Sequence, residues 1–243
     1  MRAPSALLAL GACLALTCPG LAQEKPVPDP WGLARIASTS RTEIERVRQD
    51  ATVSCALKAR PVHSTEEVYR YLLTRLPLAS RWLAALDLGD YGLTDLPNQR
   101  FQIDDKAGAK AEGERVLSEP GRLVVIARGT LEVPLLPKIR GVGVILIRFP
   151  QATATKTGQG PAPLVCSAKV AFRVKGRLFH GIGRALQRIL RRVLRSKLDA
   201  LVTSATALAE SITRDPTGTY LRLKQAKASA EDLRAFRARF LAL

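Results

Sequence analysis

Along residues 178–213, apolar side chains recur at three- and four-residue spacing, which predicts one long amphipathic helix with a side that must be buried. Ile182, Leu186, Ile189, Val193, Leu201, Ala205, Leu208 and Ile212 make up the series. Arg184, Arg188, Arg191 and Arg195 follow the same spacing on another face. Such a helix needs a partner layer, and the chain supplies one just before it. Residues 91–175 read as short alternating runs separated by turns. The clearest is 164–175, where Leu164, Cys166, Ala168, Val170, Phe172 and Val174 face one way and Val165, Ser167, Lys169, Ala171, Arg173 and Lys175 the other. The expected class is α+β, with an antiparallel sheet against a long C-terminal helix.

Further strands are predicted at 52–59, 100–104, 112–118, 123–131 and 142–149. Pro120 and Gly121 occupy the central positions of a type II turn between the third and fourth of these. Ser40 with Glu43, and Ser64 with Glu67, stand at capping-box spacing and predict two helix starts. Pro77 fits the first turn of a further helix carrying Trp82, Leu83 and Leu86, which Gly89 stops. Asp215-Pro216-Thr217-Gly218 ends the long helix. Residues 229–242 predict a last short one, with Ser229 as cap and Leu233, Phe236 and Phe240 on one face.

The first residues read as a targeting segment. Arg2 precedes an apolar run at 6–17, and Gly20-Leu21-Ala22 presents small residues for cleavage before Gln23. The expectation is a signal peptide at 1–22 and a periplasmic or secreted protein. Leu10-Gly11-Ala12-Cys13 also resembles a lipoprotein box, which would anchor the protein at Cys13. A proline-bearing leader at 23–50, a domain at 51–213 and a C-terminal tail at 214–243 follow.

The chain carries a net charge of +17, and residues 133–198 hold fourteen Lys or Arg and no Asp or Glu. For an exported protein this points to anionic lipid or envelope material rather than nucleic acid. Beyond the leader two cysteines remain, Cys55 and Cys166. Nothing in the sequence bears on oligomeric state.

Signals for catalysis are sparse. The two histidines, His63 and His180, have no recognisable partner, and no metal-ligand spacing occurs. Asp104 and Asp105 read as turn chemistry, and Asp87, Asp90 and Tyr91 as the solvated end of a helix. Gly181 and Gly183 lack the third glycine of a dinucleotide loop. No catalytic residue, metal or cofactor is expected.

The element order is a strand, two short helices started at Ser64, a run of antiparallel strands and the helix from Leu178. It resembles the START-related helix-grip superfamily, which includes the polyketide cyclase-like and plant pathogenesis-related lipid binders. The resemblance covers roughly residues 50–213. It implies a curved sheet wrapped around the long helix, with an apolar ligand cavity between them. Ile182, Leu186, Ile189 and Val193 would line that cavity from the helix, and one face of 123–131, one face of 142–149, Val170 and Phe172 from the sheet. The resemblance also makes the first and last strands neighbours, so Cys55 and Cys166 become disulfide candidates, given the right register. Three functions follow as expectations. The first is a carrier of an apolar or amphipathic small molecule. The second is an interaction protein docking Arg184, Arg188, Arg191 and Arg195 on an anionic membrane or envelope. The third is a cyclase- or hydratase-like enzyme in the same cavity.

Overall fold

The computed structural model describes residues 29, 31–132, 138–151, 163–175 and 184–241, with side chains in the last stretch from 187 onward. The signal-peptide and Cys13 readings, His180, Ile182 and the Gly181/Gly183 pair lie outside the described residues, as do the side chains of Arg184 and Leu186.

Consecutive hairpins build most of the sheet: β3 (Leu93–Leu96), β4 (Arg100–Asp104), β5 (Ala109–Glu119), β6 (Arg122–Leu131), β7 (Ile139–Arg148) and β8 (Leu164–Val174). Two short strands, β1 (Val53–Ala56) and β2 (Arg60–Val62), both pair antiparallel with β8, so the first and last strands are neighbours. The order is β1-β8-β7-β6-β5-β4-β3. Gly121 takes φ 70° at the β5–β6 turn, a left-handed value that its type II geometry requires of the third residue. Pro61, just beyond the first strand predicted at 52–59, sits inside β2, where proline is tolerated at an edge.

Two helices, α2 (Glu66–Thr74) and α3 (Leu76–Ala85), follow β2, and α4 (Arg184–Arg214) crosses the same inner face of the sheet. This is the helix-grip arrangement: a curved antiparallel sheet holding a long C-terminal helix.

The sheet's outer face is also covered. Continuous apolar runs such as Leu123-Val124-Val125-Ile126 bury alternate residues on opposite sides. Leu123 and Val125 join the inner core, while Val124 and Ile126 pack outward with Val144 and Leu146. Against that outer patch lie Trp31, Ile36, Ile44 and Val47, the last two from α1 (Ser38–Gln49). Trp31 and Ile36 are buried there at 6% and 2% exposure, and α1 is the short helix expected to follow them.

The tail belongs to the inner core as well. Helices α5 (Pro216–Gln225) and α6 (Ala230–Phe240) fold back so that Leu223 and Phe236 are fully buried. Phe236 meets the Trp82 ring edge-on at 5.1 Å. Asp215 caps α5 by accepting from the Gly218 amide at 2.8 Å, and Ser229 caps α6 by accepting from Asp232 at 3.0 Å. The residue expected to stop the long helix thus also starts the next one.

Two of the expected caps shift. Helix α1 begins at Ser38, so Ser40 and Glu43 lie inside it. Thr65, not Ser64, caps α2 by accepting from the Val68 amide at 3.2 Å. Ser64 is instead drawn to α4, where its hydroxyl meets Thr213 Oγ1 at 2.8 Å.

The disulfide expectation is overturned by register. Cys55 faces Val170 across the β1–β8 pair, and Cys166 faces Arg60. Four residues of offset along β8 separate them by roughly 13 Å, against the ~7 Å limit for a bridged pair. Both thiols are free.

Candidate functional site

Between the inner face of the sheet and α4 lies a cavity of about 360 Å³. Its floor is aliphatic and aromatic: Phe101 and Ile103 from β4, Leu123 and Val125 from β6, Ile145 and Ile147 from β7, and Val170 from β8. Helix α4 supplies Leu194, Leu198, Leu201, Val202 and Ala205 as the roof. One side is closed by Tyr69, Leu72 and Leu73 of α2 with Leu76, Ser80 and Leu83 of α3. A glycine sets the floor's shape. A Cβ at Gly113 would stand 2.5 Å from the Phe101 ring, so glycine on β5 lets that ring lie flat against the strand.

Polar groups are few and mostly satisfied. Ser204 donates to the Leu88 carbonyl at 2.6 Å, so the Tyr91 hydroxyl, 2.9 Å away, donates to Ser204. Tyr69 places its hydroxyl 3.1 Å from Cys166 Sγ. Burial pushes the Tyr69 phenol well above its usual range, and the neighbouring thiol adds to this, so Tyr69 stays a neutral hydrogen-bonding group. Burial also raises the Cys166 thiol, which disfavours a reactive thiolate. The buried Ser80 hydroxyl lines the cavity.

Charges gather at the rim. Asp105 pairs with Lys197 of α4, and Lys197 also donates to the Ala107 carbonyl at 3.1 Å. The other Asp105 oxygen accepts from the Ala107 and Ala109 amides at 2.9 and 2.7 Å, the turn chemistry expected of it. Beside it Lys106 reaches Asp90 at 2.5 Å, and that bond holds the Asp90 carboxyl below its usual range. The site is thus an apolar chamber with an ion-paired rim.

Of the six residues expected to line the cavity, Val170 does so. Val193 and Phe172 belong to a separate small cluster around Val53, Leu131, Ile139, Val174 and Leu190. There Phe172 lies over Gly141, whose added Cβ would stand 2.4 Å from the ring. Ile189 points outward and is 45% exposed. Two helical series overlap in this part of the sequence: Ile189 with Val193, and Leu190 with Leu194 and Leu198. The structure buries the second, so the inward stripe is rotated by one residue. Cys55 is part-buried against the inner core, and burial raises its thiol as well.

Arg188, Arg191 and Arg195 are exposed, and Arg192 joins them. None of the four has an ion-pair partner among the described residues. Other expected residues moved in meaning. Asp90 and Tyr91 line the cavity instead of merely ending a helix, whereas His63 is exposed and its backbone amide donates to Glu210 at 2.9 Å. The contributions of α2 and α3 were missed, although Tyr69, Leu72, Leu73 and Leu76 carry helical spacing in the sequence.

No sequence-family description matches the chain, and no curated protein matches it. Solved structures do. One is the di-domain aromatase/cyclase BexL from the BE-7585A biosynthetic pathway, at 17% identity and TM-score 0.44 over 71% of this chain; the chain spans 57% of BexL's length. A norcoclaurine synthase point mutant from Thalictrum flavumn matches at 12% identity and TM-score 0.41, covering 65% of this chain and 94% of that one. A conserved protein from Geobacillus kaustophilus matches at 14% identity and TM-score 0.39, over 65% and 93% of the two chains. The likeness is one of fold.

Proposed function

We propose that this protein binds an apolar or amphipathic small molecule in the chamber between the sheet and α4. The observation that carries the reading is the chamber itself: about 360 Å³ lined almost wholly by aliphatic and aromatic side chains. Its size lies at the lower end of the ~300–1,000 Å³ typical of ligand pockets. Desolvation of that body drives binding, at about 25 cal/mol per Å² of apolar area before ordering costs are deducted.

Native mass spectrometry of protein purified from its own host, followed by organic extraction, tests this. A stoichiometric apolar molecule released from wild type and absent from Ala205→Phe, which fills the chamber, is the expected result. Equal loading of both proteins would overturn the reading.

A second reading concerns the outside of α4. Arg188, Arg191, Arg192 and Arg195 surround the exposed Ile189, a combination suited to an anionic lipid surface, where each arginine adds about 1 kcal/mol. Binding to vesicles rich in anionic lipid should fall steeply as salt rises, whereas loading of the chamber should barely change.

A further inference from the structure

Back to back with the apolar chamber lies a second cavity, of about 520 Å³ and opposite chemistry. The two adjoin at Leu76 and Phe101, which line both. Four arginines line the second, Arg75, Arg81, Arg100 and Arg115, together with the acids Asp95 and Glu231.

The arginines differ in how they are engaged. At one end Arg81 grips buried Asp232, with Nε at 2.9 Å and Nη2 at 2.8 Å from Oδ1, and Asp95 and Glu231 also favour its charge. Arg100 is engaged by Glu112 across the β4–β5 pair, Nε to Oε1 at 2.7 Å. That leaves Arg75 and Arg115. Arg115 is part-buried, and it donates Nη1 to the Thr74 carbonyl and Nε to Gln99 Oε1 at 3.3 Å. Neither bond is to a carboxylate, and its Nη2 has no partner among the described residues. Burial works against its charge first and the neighbouring Arg75 adds to this, with Asp95 alone resisting. The Arg75 guanidinium lies 5.4 Å over the Tyr71 ring and forms no ion pair with the described residues.

Backbone geometry puts Arg115 there. The β5–β6 register slips between Arg115 and Leu117, and this bulge ends the inward alternation of β5 at Arg115 and turns Leu117 to the outer core. The first turn of α3, which no side chain caps, contributes Leu76, Pro77 and Leu78 to the same wall. Two guanidinium groups with spare N–H donors, neither ion-paired among the described residues and with Asp95 the nearby carboxylate that favours the Arg115 charge, are suited to a planar or tetrahedral oxyanion.

We propose that this end of the second cavity is an oxyanion site that takes a carboxylate or phosphate group between Arg115 and Arg75. The group comes either from a free small anion or from the head of an amphiphile whose body enters the neighbouring chamber. Only the amphiphile source rests on the chamber's function.

The test is calorimetric titration of inorganic phosphate at constant ionic strength into wild type, Arg75→Gln, Arg115→Gln, Arg115→Lys and Arg188→Gln. Single-site binding is expected, weakened about tenfold or more by Arg75→Gln and by Arg115→Gln and unchanged by Arg188→Gln. Arg115→Lys keeps the charge without the fork, so it should fall between wild type and Arg115→Gln. Absence of saturable binding, or an equal loss in Arg188→Gln, overturns the site. Should Arg115→Gln misfold by freeing the Thr74 carbonyl, the exposed Arg75→Gln still decides the matter. Dodecyl phosphate identifies the source. Binding tighter than that of inorganic phosphate, with the gain lost in Ala205→Phe, marks an amphiphile's head group. Equal binding of the two marks a free anion. Inorganic phosphate should bind Ala205→Phe as it binds wild type, so failure of the chamber reading leaves this site standing.

Discussion

The two faces of one sheet are built from neighbouring residues of the same strands, yet one is filled and the other holds a chamber. On the outside, Val124, Ile126, Val144 and Leu146 are at most 0% exposed and meet Trp31, Ile36, Ile44 and Val47 directly. On the inside, Val125 and Ile145 face α4 across the cavity. The difference lies in what covers each face. A short helix lies close on the outer side, whereas α4 lies across the chamber on the inner side, with α2, α3 and α5 packed around its C-terminal half. Apolar patterning alone therefore specifies burial and does not specify filling.

Paired truncations test that contrast with the largest expected effect. Ile126→Ala removes a fully buried side chain from a filled layer and should cost about 3–5 kcal/mol, read from the denaturant midpoint at constant slope. Ile145→Ala removes a side chain that already borders empty space and has fewer contacts to lose, so about 1–2 kcal/mol is expected. Equal costs would mean that the chamber closes in solution.

How far the sequence revealed this arrangement follows the same division. Strict alternation in 164–175 placed β8 and both of its faces, and the Pro120-Gly121 turn placed the β5–β6 hairpin. The antiparallel sheet and long helix were legible because periods of two and 3.6 residues were clean there. The outer layer was legible in principle: Leu123-Val124-Val125-Ile126 has no wet side, so a second cover was required. The proline-bearing context of Trp31 and Ile36 hid where that cover came from. The sheet side of the chamber was legible, through Leu123, Val125, Ile145, Ile147 and Val170, but its helix side was not, since choosing between the Ile189 and Leu190 series needs the helix's rotation, which tertiary contacts set. Nor was the arginine end of the second cavity, because the bulge after Arg115 leaves no mark in an otherwise regular strand.

Enlargement sharpens the comparison with a smaller effect. Val144→Phe forces extra volume into the filled outer layer and should cost about 1–3 kcal/mol. Ala205→Phe places similar volume in the chamber, so its stability should change by well under that amount while its ligand loading falls. Thermal midpoints of the empty proteins provide the measurement. A large loss in Ala205→Phe would show that the inner space is smaller than the 360 Å³ described.

The smallest effect concerns the chamber's wall at alkaline pH. Burial raises the folded-state pKa of Tyr69 above the ordinary value of 10.0, and raises Cys166 above 9.0. In both cases the unfolded chain loses its proton first. Stability contributed by keeping them neutral is therefore complete below about pH 9 and declines as pH rises through the unfolded pKa values towards the folded ones. Tyr69→Phe should cost no more than about 1 kcal/mol at pH 7, the net worth of its hydroxyl contact with the sulfur at 3.1 Å. The same variant should lose stability more slowly than wild type between about pH 9 and 11, because one of the two buried acids is gone. Chemical denaturation across that range, with Tyr91→Phe as the control for a tyrosine on the same wall whose hydroxyl bonds Ser204, separates the two terms. A Tyr69→Phe curve parallel to wild type throughout would mean that water reaches the phenol and that this end of the inner face is wet rather than sealed.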